Sequence, residues 1–527
     1  MKKVLISDSL AREGIEILKA TPNLVVDVKT GLKPEELIKI IGEYDALVIR
    51  SATKARGEVL DAATNLKVIG RAGIGVDNVD VPAATRRGII VMNTPAGNIV
   101  TTDEHAVALL MSLVRRIPQA TASMKAGQWE KKAFEGTEIC GKVLGVVGLG
   151  NIGSIVADRA LGLKMEVLAF DPFISADRAE KMGVRLASLD ELFARSDLIT
   201  IHVPLLEETR NLINREAFAK MKKGVYLVCA ARGKIVDEEA LFDALESGKV
   251  AGAALDVFAQ EPPGLSPLVS HPKVICTPHL GASTAEAQLA VSVQVAEQIA
   301  DYFTTGTVKN AVNMPSVPPE TLEKMRPYLL MARNLGRLHA QLGIEGLTGV
   351  SIEFAGKAAE AKTSLLTAEA LAGLLSSSLG DAVNMINAPV WARERGIKVV
   401  ETTKSDGEDY ASLIRLTVTA KKGTGSLAGA IFHEREPRIV EIDSMAIEAI
   451  PSGHMLIFKN LDKPGIVGSI GMTLGSHGIN IGQFQFGRES PGGRAVTMVN
   501  VDSDVGGKAL AELQSLPNIT SVMKAFL

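Results

Sequence analysis

Aromatic side chains are scarce in this chain, at 4% of 527 residues, whereas glycine reaches 49. Interior volume must therefore come from Ala, Val, Leu and Ile between many tight turns, a composition that suits α/β proteins. Cysteine is scarcer still. Cys140, Cys229 and Cys276 are odd in number and show no CxxC spacing, which argues against a disulfide framework or a cysteine-based zinc site and predicts a reducing, cytoplasmic setting. The eight histidines contain no HxxxH pair, so no metal is expected. Charge of either sign is not in excess. Lys and Arg number 57 against 60 Asp and Glu, a formal net charge of -3, without the basic footprint that nucleic acid or an anionic membrane requires. No stretch approaches the roughly 18 uninterrupted apolar residues of a membrane-spanning helix. The opening MKKVLISD reaches an acid after Val4, Leu5 and Ile6, too soon for a signal peptide, and reads as a strand.

The length exceeds what one core can organise and predicts three or four domains. In the first hundred residues KVLISD, LVVDVK, DALVIRS, LKVIGRAG and IIVMNTP read as five buried strands, separated by amphipathic segments such as PEELIKIIGEY. Strand–helix alternation with continuous apolar runs predicts a parallel sheet covered on both faces. A long helix is expected from Thr102 to Pro118, capped by Thr102 or Asp103. A second α/β unit opens at Lys142, with KVLGVVG, EVLAFD, LITIHVP, VYLVCAA, AGAALDVF and VICTP as strands, and another helix is expected over 285–304. Proline-rich NMPSVPPE then marks a joint. Beyond it, residues 320–452 mix helical runs with the strands GVSIEFAG, SLIRLTVTAK and IVEIDSMAIEAI, and the last 75 or so residues follow a βαββαβ pattern.

The sharpest local signal is Gly148-Leu149-Gly150-Asn151-Ile152-Gly153, placed between a predicted strand and a predicted helix. In that context a GxGxxG turn binds a dinucleotide: Gly148 allows the turn, Gly150 the approach of a pyrophosphate, and Gly153 close helix–strand packing. Asp171 ends the next strand eighteen residues beyond Gly153. Its carboxylate can accept from a ribose 2′-hydroxyl and repels a 2′-phosphate, so NAD is predicted over NADP.

Three polar residues follow apolar strands of the second unit: Arg232 after VYLVCAA, Glu261 after AGAALDVF and His279 after VICTP. In a parallel sheet all three stand at the carboxyl edge, where the cofactor binds. Each alone has an ordinary explanation as a surface or loop residue. Together they suit hydride chemistry on a 2-hydroxy acid, with Arg232 gripping the carboxylate, His279 exchanging the hydroxyl proton and Glu261 orienting the imidazole. The remaining histidines form no cluster; His105 and His202 read as packing or helix-end residues near the cleft.

With these residues, GLGNIG, HVPLLEET, AARGKIVDE, ALDVFAQEP and TPHLGAST resemble the D-isomer-specific 2-hydroxyacid dehydrogenases over residues 1–312. The tail extends the resemblance to the long-form, phosphoglycerate-oxidising branch of that family. It implies NAD-dependent oxidation of 3-phospho-D-glycerate to 3-phosphohydroxypyruvate, the first step of serine biosynthesis. The fold it implies is two doubly wound parallel-sheet domains followed by two α+β regulatory domains. Residues 1–98 and 283–312 would form a flavodoxin-like substrate-binding domain around a Rossmann-type NAD-binding domain at 99–282. An intervening domain would span 313–452, and a module resembling ACT domains 453–527. The resemblance places Arg232, Glu261 and His279 in the catalytic roles. It adds Asn151, Ile152, Val203, Ala230, Ala231, Asp256, Gly281 and Ala282 to the NAD pocket beside Gly148, Gly150, Gly153 and Asp171. Arg50, Gly73, Ile74, Gly75, Asn98 and Lys131 join Arg232 and His279 on the substrate, with Lys54 a further cation for a phosphate. Ile74 stands where many members carry Thr or another small residue, so only its backbone contact carries over.

In the ACT-like segment Asn460, Asp462 and Asn480 are the implied effector contacts, with L-serine the natural effector, and the family implies a homo-oligomer, dimer or tetramer. Two other readings share the core: a glyoxylate or hydroxypyruvate reductase, which lacks such a tail, and an NAD-sensing corepressor-like protein, which can keep the Arg/Glu/His set.

Overall fold

The computed structural model describes residues 1–343, 346–406, 409–421 and 423–527. The five apolar runs of the first hundred residues are strands β1 (Lys2–Ile6), β2 (Leu24–Val28), β3 (Ala46–Ile49), β4 (Val68–Arg71) and β5 (Ile90–Asn93). They pair in parallel in the order β2-β1-β3-β4-β5, the flavodoxin-like order. The central β3 is buried along its whole length, which is why it reads as an unbroken apolar run rather than an alternation.

A second parallel sheet contains β6 (Val143–Val147), β7 (Glu166–Phe170), β8 (Arg185–Leu186), β9 (Leu198–Ile201), β10 (Val225–Cys229), β11 (Val250–Leu255) and β12 (Val274–Cys276). Its order is β12-β11-β10-β9-β6-β7-β8, so the winding reverses between β6 and β9. Six of its strands match the expected runs; the two-residue β8 was too short to announce itself. The chain divides into two units, residues 10–15 with 94–294 and residues 1–9, 16–93 and 295–527.

The helix expected over 102–118 is α1 (Ile99–Val114), and it differs at both ends. Asn98 holds the N-cap position, while Thr102 and Asp103 are buried four and five residues beyond it, inside the helix rather than capping it. Arg116 turns left-handed at φ 52°, and a separate helix, Ile117–Lys125, starts with Pro118 in its first turn. Proline is accommodated there because the first-turn N–H groups have no intrahelical partner. Asn151–Gly162 is α2 and Ala285–Thr305 is α3.

Beyond residue 312, α4 (Pro319–Gln341) packs against α5 (Thr363–Leu379). The backbones approach so closely that a Cβ on Gly336 would lie 2.1 Å from the Ala370 carbonyl oxygen. Beside them is a mixed sheet of β13 (Leu347–Gly356), β14 (Lys398–Lys404), β15 (Ser412–Ala420), β16 (Gly423–Phe432), β17 (Glu436–Ile442) and β18 (Met445–Ala449), in the order β14-β13-β15-β16-β17-β18. The run IVEIDSMAIEAI is thus two strands, not one: Asp443 and Ser444, at φ 48° and 65°, make the tight turn between β17 and β18 that right-handed strand twist favours.

The last segment has the expected βαββαβ order: β19 (His454–Leu461), α6 (Ile466–Ser476), β20 (Ile481–Arg488), β21 (Arg494–Val501), α7 (Gly507–Ser515) and β22 (Ile519–Phe526). Its antiparallel sheet runs β20-β21-β19-β22. Among the described residues no helix is long and apolar enough to cross a membrane, and no group of three or more His, Cys, Asp or Glu is placed to hold a metal ion.

Candidate active site

One row of paired residues crosses the second sheet near its carboxyl edge. Val147 of β6 pairs with Ile201 of β9, Ile201 with Cys229 of β10, Cys229 with Leu255 of β11, and Leu255 with Cys276 of β12. Phe170 of β7 joins it beside Val147. Strands lie about 4.8 Å apart, so the row spans about 19 Å from β6 to β12. The chain leaves it at Gly148, Asp171, His202-Val203, Ala230-Ala231-Arg232, Asp256 and Thr277, and His279 follows Thr277 by two residues. Residues scattered over more than a hundred positions are therefore brought to one edge.

At the β6 end the glycines have separable reasons. Gly148 sits at φ 92°, and a Cβ on Gly153 would lie 1.9 Å from the Gly148 carbonyl oxygen. A Cβ on Gly150 would meet no protein atom within 4 Å, so the protein's own packing does not demand glycine there. Gly150 is the N-cap of α2 and offers no side-chain cap. The N–H groups of the first turn, from Asn151 and Ile152 onward, and the positive end of the helix dipole are left to a ligand. Asp171 is held against this turn: its Oδ2 accepts from the Leu149 N–H at 2.9 Å and its Oδ1 from the Phe173 N–H at 2.8 Å. The donors, the open side of Gly150 and the fixed carboxylate fit an NAD pyrophosphate and ribose. His202 bonds Thr200 through Nε2 at 2.9 Å and packs behind the turn.

At the β11–β12 end, His279 Nδ1 lies 2.8 Å from Glu261 Oε2, and the Phe258 N–H donates to Glu261 Oε1 at 3.1 Å. Burial alone would raise the Glu261 carboxyl, but the hydrogen bond and charge of His279 and the Phe258 N–H hold it below the ordinary carboxylate range. With Nδ1 engaged, Nε2 is the imidazole atom left for proton exchange. Arg232 is half-buried, its Nη1 donating to the Ala231 carbonyl at 2.6 Å.

Asp256 is fully buried. Its Oδ1 accepts from Thr277 Oγ1 at 2.6 Å and the Leu280 N–H at 2.7 Å, and its Oδ2 from the Gly281 N–H at 2.8 Å. His105 Nε2 of α1 stands 3.2 Å from Oδ1. Burial pushes this carboxyl up, but His105, Thr277 and Leu280 outweigh it and keep it below the usual value. Ala282 accepts through its carbonyl from Gln288 Nε2 at 2.9 Å. The sequence reading placed His105 in no such pairing. Its signal was a polar residue three positions after Thr102 on a helix whose neighbouring faces are apolar.

The residues expected on the substrate fall in both units. Asn98 is buried with its Oδ1 lacking a protein partner, and Lys131 is exposed in a short 3-10 turn, Lys131–Phe134. In the unit that contains β1–β5, Asp8 accepts from the Arg50 N–H at 2.7 Å and from Thr53, and Asn78 Nδ2 donates to the Arg50 carbonyl at 2.7 Å. The Arg50 Nε is buried with no protein partner, and burial lowers the basicity of this guanidinium. Lys54 is exposed. Gly73, at φ 141°, lies so near the Arg71 guanidinium that a Cβ would come 1.6 Å from Nη1. Asn93 Nδ2 fixes the Ile74 carbonyl at 2.6 Å, and Gly75 follows in the same loop.

In the last segment a cavity of about 510 Å³ is lined by Asp462, Lys463, Pro464, Phe486 and Arg488 among others. Asp462 Oδ2 accepts from Arg488 Nη1 at 2.9 Å and the Gly492 N–H at 3.0 Å, and both hold its carboxyl below the usual range. Asn460 is buried, accepting from Thr497 and donating to the Leu461 carbonyl, and Asn480 donates to Asp502 at 2.6 Å.

Three family models match the chain. Residues 107–281 match the NAD binding domain of D-isomer specific 2-hydroxyacid dehydrogenases, 324–443 the D-3-phosphoglycerate dehydrogenase intervening domain, and 454–518 the ACT domain. A D-3-phosphoglycerate dehydrogenase of Synechocystis is 47% identical over 98% of this chain and 94% of its own length. One from Methanocaldococcus jannaschii is 44% identical over 99% of both chains. Among solved structures, a glyoxylate reductase from Paecilomyes thermophila superposes with a TM-score of 0.55 at 30% identity, covering 59% of this chain and 98% of its own.

Proposed function

The chain belongs to the D-3-phosphoglycerate dehydrogenase family of D-isomer-specific 2-hydroxyacid dehydrogenases, and from that premise we propose that it oxidises 3-phospho-D-glycerate to 3-phosphohydroxypyruvate, opening serine biosynthesis. It is an NAD-dependent enzyme. Bound NAD supplies the acceptor for the hydride that leaves C2. Arg232 holds the substrate carboxylate with a two-pronged contact. His279 takes the C2 hydroxyl proton on Nε2 as the carbonyl forms, and the ionised Glu261 stabilises the resulting imidazolium through Nδ1. Arg50, Lys54 and Lys131 serve the phosphate, and the backbone of Gly73, Ile74 and Gly75 with Asn98 completes the substrate contacts. Asp171 takes the adenine ribose, and Val203, Ala230, Ala231, Gly281 and Ala282 line the NAD pocket, largely through backbone groups. In domain terms, 1–98 with 283–312 serves the substrate, 99–282 NAD, 313–452 is the intervening domain and 453–527 the regulatory one.

The observation that carries this reading is the 2.8 Å His279–Glu261 pair on the same sheet edge as the glycine turn. The regulatory ligand is L-serine, its amine drawn to Asp462 in competition with Arg488, with Asn460 and Asn480 shaping the surroundings. The protein works as a homotetramer in the cytoplasm; exposed Ile117, Met124 and Trp129 beyond α1 offer apolar surface for subunit contact.

The test is NADH formation by purified protein from 3-phospho-D-glycerate, compared with D-lactate, D-glycerate and D-2-hydroxyglutarate, with and without serine. Turnover confined to an unphosphorylated acid removes Arg50, Lys54 and Lys131 from the mechanism. Absence of any turnover favours an NAD-sensing protein.

A further inference from the structure

We infer that His105 is a positioning residue: acting through Asp256, it holds the loop that presents His279 to the substrate. The inference rests on the reading of His279 as the proton acceptor.

His279 has φ 56°, a left-handed conformation that is strained for a side-chain-bearing residue. The surrounding contacts must over-determine it: the Thr277 carbonyl accepts the His279 N–H at 3.0 Å, and most of the others converge on Asp256. The Asp256 carbonyl accepts the His279 N–H at 2.9 Å, while its carboxylate accepts the next two N–H groups, Leu280 at 2.7 Å and Gly281 at 2.8 Å. Three successive amides thus converge on Asp256. A fully buried carboxylate is costly unless its oxygens are hydrogen-bonded, and His105 Nε2, 3.2 Å away with its side chain 19% exposed, stands among its partners. His105 also lies 3.1 Å from Thr277 Oγ1, which itself donates to Asp256. One turn earlier on the same helix face, Thr102 Oγ1 shares its proton between the Asn98 carbonyl at 2.8 Å and the Gly281 carbonyl at 2.9 Å. The helix α1 therefore meets the 277–281 loop at Thr277 and at Gly281, on both sides of His279, and meets Asp256 behind it.

The experiment compares full-length His105→Leu, His105→Gln and Thr102→Val with His279→Asn. Steady-state rates are measured with NAD and 3-phospho-D-glycerate, beside thermal unfolding. Misplacing a proton acceptor by about 1 Å costs about 100-fold. His105→Leu should therefore lower kcat about 30- to 100-fold, with KM for the hydroxy acid within about threefold. His105→Gln, whose amide nitrogen reaches about as far as Nε2 and can donate in its place, should recover kcat to within about fivefold of the parent. A purely structural role would move the unfolding temperature without this split or this rescue. Wild-type kcat in His105→Leu, or a folded His105→Gln as slow as His105→Leu, overturns the inference. If His105→Leu does not fold, Thr102→Val carries the test, with kcat expected to fall about fivefold at constant KM; unchanged kcat there is the contrary result. His279→Asn should lose about 1,000-fold. Full activity in His279→Asn would sink the proton-transfer reading itself, whereas an inactive His279→Asn beside a silent His105→Leu would sink only the role of His105.

Discussion

Gly150 and Gly153 look alike in the sequence, yet the structure assigns them opposite consequences on replacement by alanine. A Cβ on Gly153 would sit 1.9 Å from a backbone oxygen of Gly148, more than 1 Å inside any tolerable contact, and neither the strand end nor the helix can yield cheaply. Overpacking of that kind costs about 1–3 kcal/mol, and each kcal/mol lowers the melting temperature of a unit this size by about 2–4 °C. Gly153→Ala should therefore lose about 2–12 °C in differential scanning fluorimetry. On Gly150 the same methyl meets no protein atom within 4 Å, at φ -73° and ψ -156°, which alanine adopts freely. The fold should be indifferent. The methyl would instead stand where a pyrophosphate approaches the first turn of α2. Loss of one charge-assisted hydrogen bond there is worth about 1.5–3 kcal/mol, which raises the Kd for NADH about 10- to 150-fold, measured by quenching of protein fluorescence. Unchanged NADH affinity in a stable Gly150→Ala would mean that the cofactor does not lie on this turn, and the reasoning would fail at its first step.

Glu261→Gln keeps an acceptor for His279 Nδ1 but removes the charge. The side chains are 48% and 39% exposed, so the screened attraction is about 2 kcal/mol and kcat should fall about 30-fold; a fall under threefold would show that the charge is idle. Asp171→Asn should cut the NAD over NADP preference in kcat/KM at least about fivefold by removing like-charge repulsion worth about 1–4 kcal/mol, and an unchanged ratio would place the ribose elsewhere. Arg50→Gln should raise KM for 3-phospho-D-glycerate at least tenfold and leave an unphosphorylated 2-hydroxy acid unaffected; equal effects on both would assign Arg50 to the carboxylate or to the fold. Buried His339 donates to the Leu416 carbonyl at 2.9 Å, and burial pulls its imidazole down to about 4. The unfolded chain binds that proton first, so the stabilisation is complete above about pH 6.5 and drains as pH falls toward 4, amounting to a loss of about 2 kcal/mol by pH 5. His339→Gln should flatten this decline in denaturant melts at pH 8 and pH 5, and an undiminished slope would place the acid sensitivity elsewhere.

Apart from the two-residue β8, the strands of both parallel sheets were legible as apolar runs, most plainly Ala46–Ile49, which is buried on two faces and apolar at every position. Two strands of the mixed sheet were not. β14, KVVETTK, is almost wholly exposed, and β16, GTGSLAGAIF, is built from small residues; each forms because its partner strand supplies the ladder, which no local pattern records. The end of α1 was misjudged for a related reason. Pro118 suits a second helix's first turn as well as the tail of a longer one, and the left-handed Arg116 decides between them. In the candidate site, GLGNIG and Asp171 were readable as a strand–turn–helix with a carboxylate at a fixed remove. The His105–Asp256 pair was not, because 150 residues separate its members and only the packing of α1 against the β11 and β12 ends joins them. The ACT-like segment shows the same limit. Its order of elements was plain, yet Asn460 is spent on Thr497 and Asn480 on Asp502, contacts that require the folded sheet.

The chemistry and the choice of acid rest on different residues, and charge explains why. In the proposed mechanism Arg232, Glu261 and His279 address the carboxylate, the hydroxyl and its proton, which every 2-hydroxy acid possesses, so they define a reaction and leave its substrate open. A phosphate brings nearly two further negative charges that these three cannot meet, since one guanidinium is already given to the carboxylate. The demand is for cations elsewhere, with at least one held in place so that its contact is not lost to side-chain entropy. Arg50 meets that condition better than Lys54 or Lys131. Its backbone is pinned by Asp8 and Asn78, and its Nε is buried without a protein partner, whereas the two lysines are exposed. An arginine so placed is poorly satisfied by the protein alone, because burial works against its charge, and an anionic ligand group restores what burial removes. On the proposed mechanism, preference for a phosphorylated acid is assigned to this arginine, whose Nε the fold leaves without a protein partner.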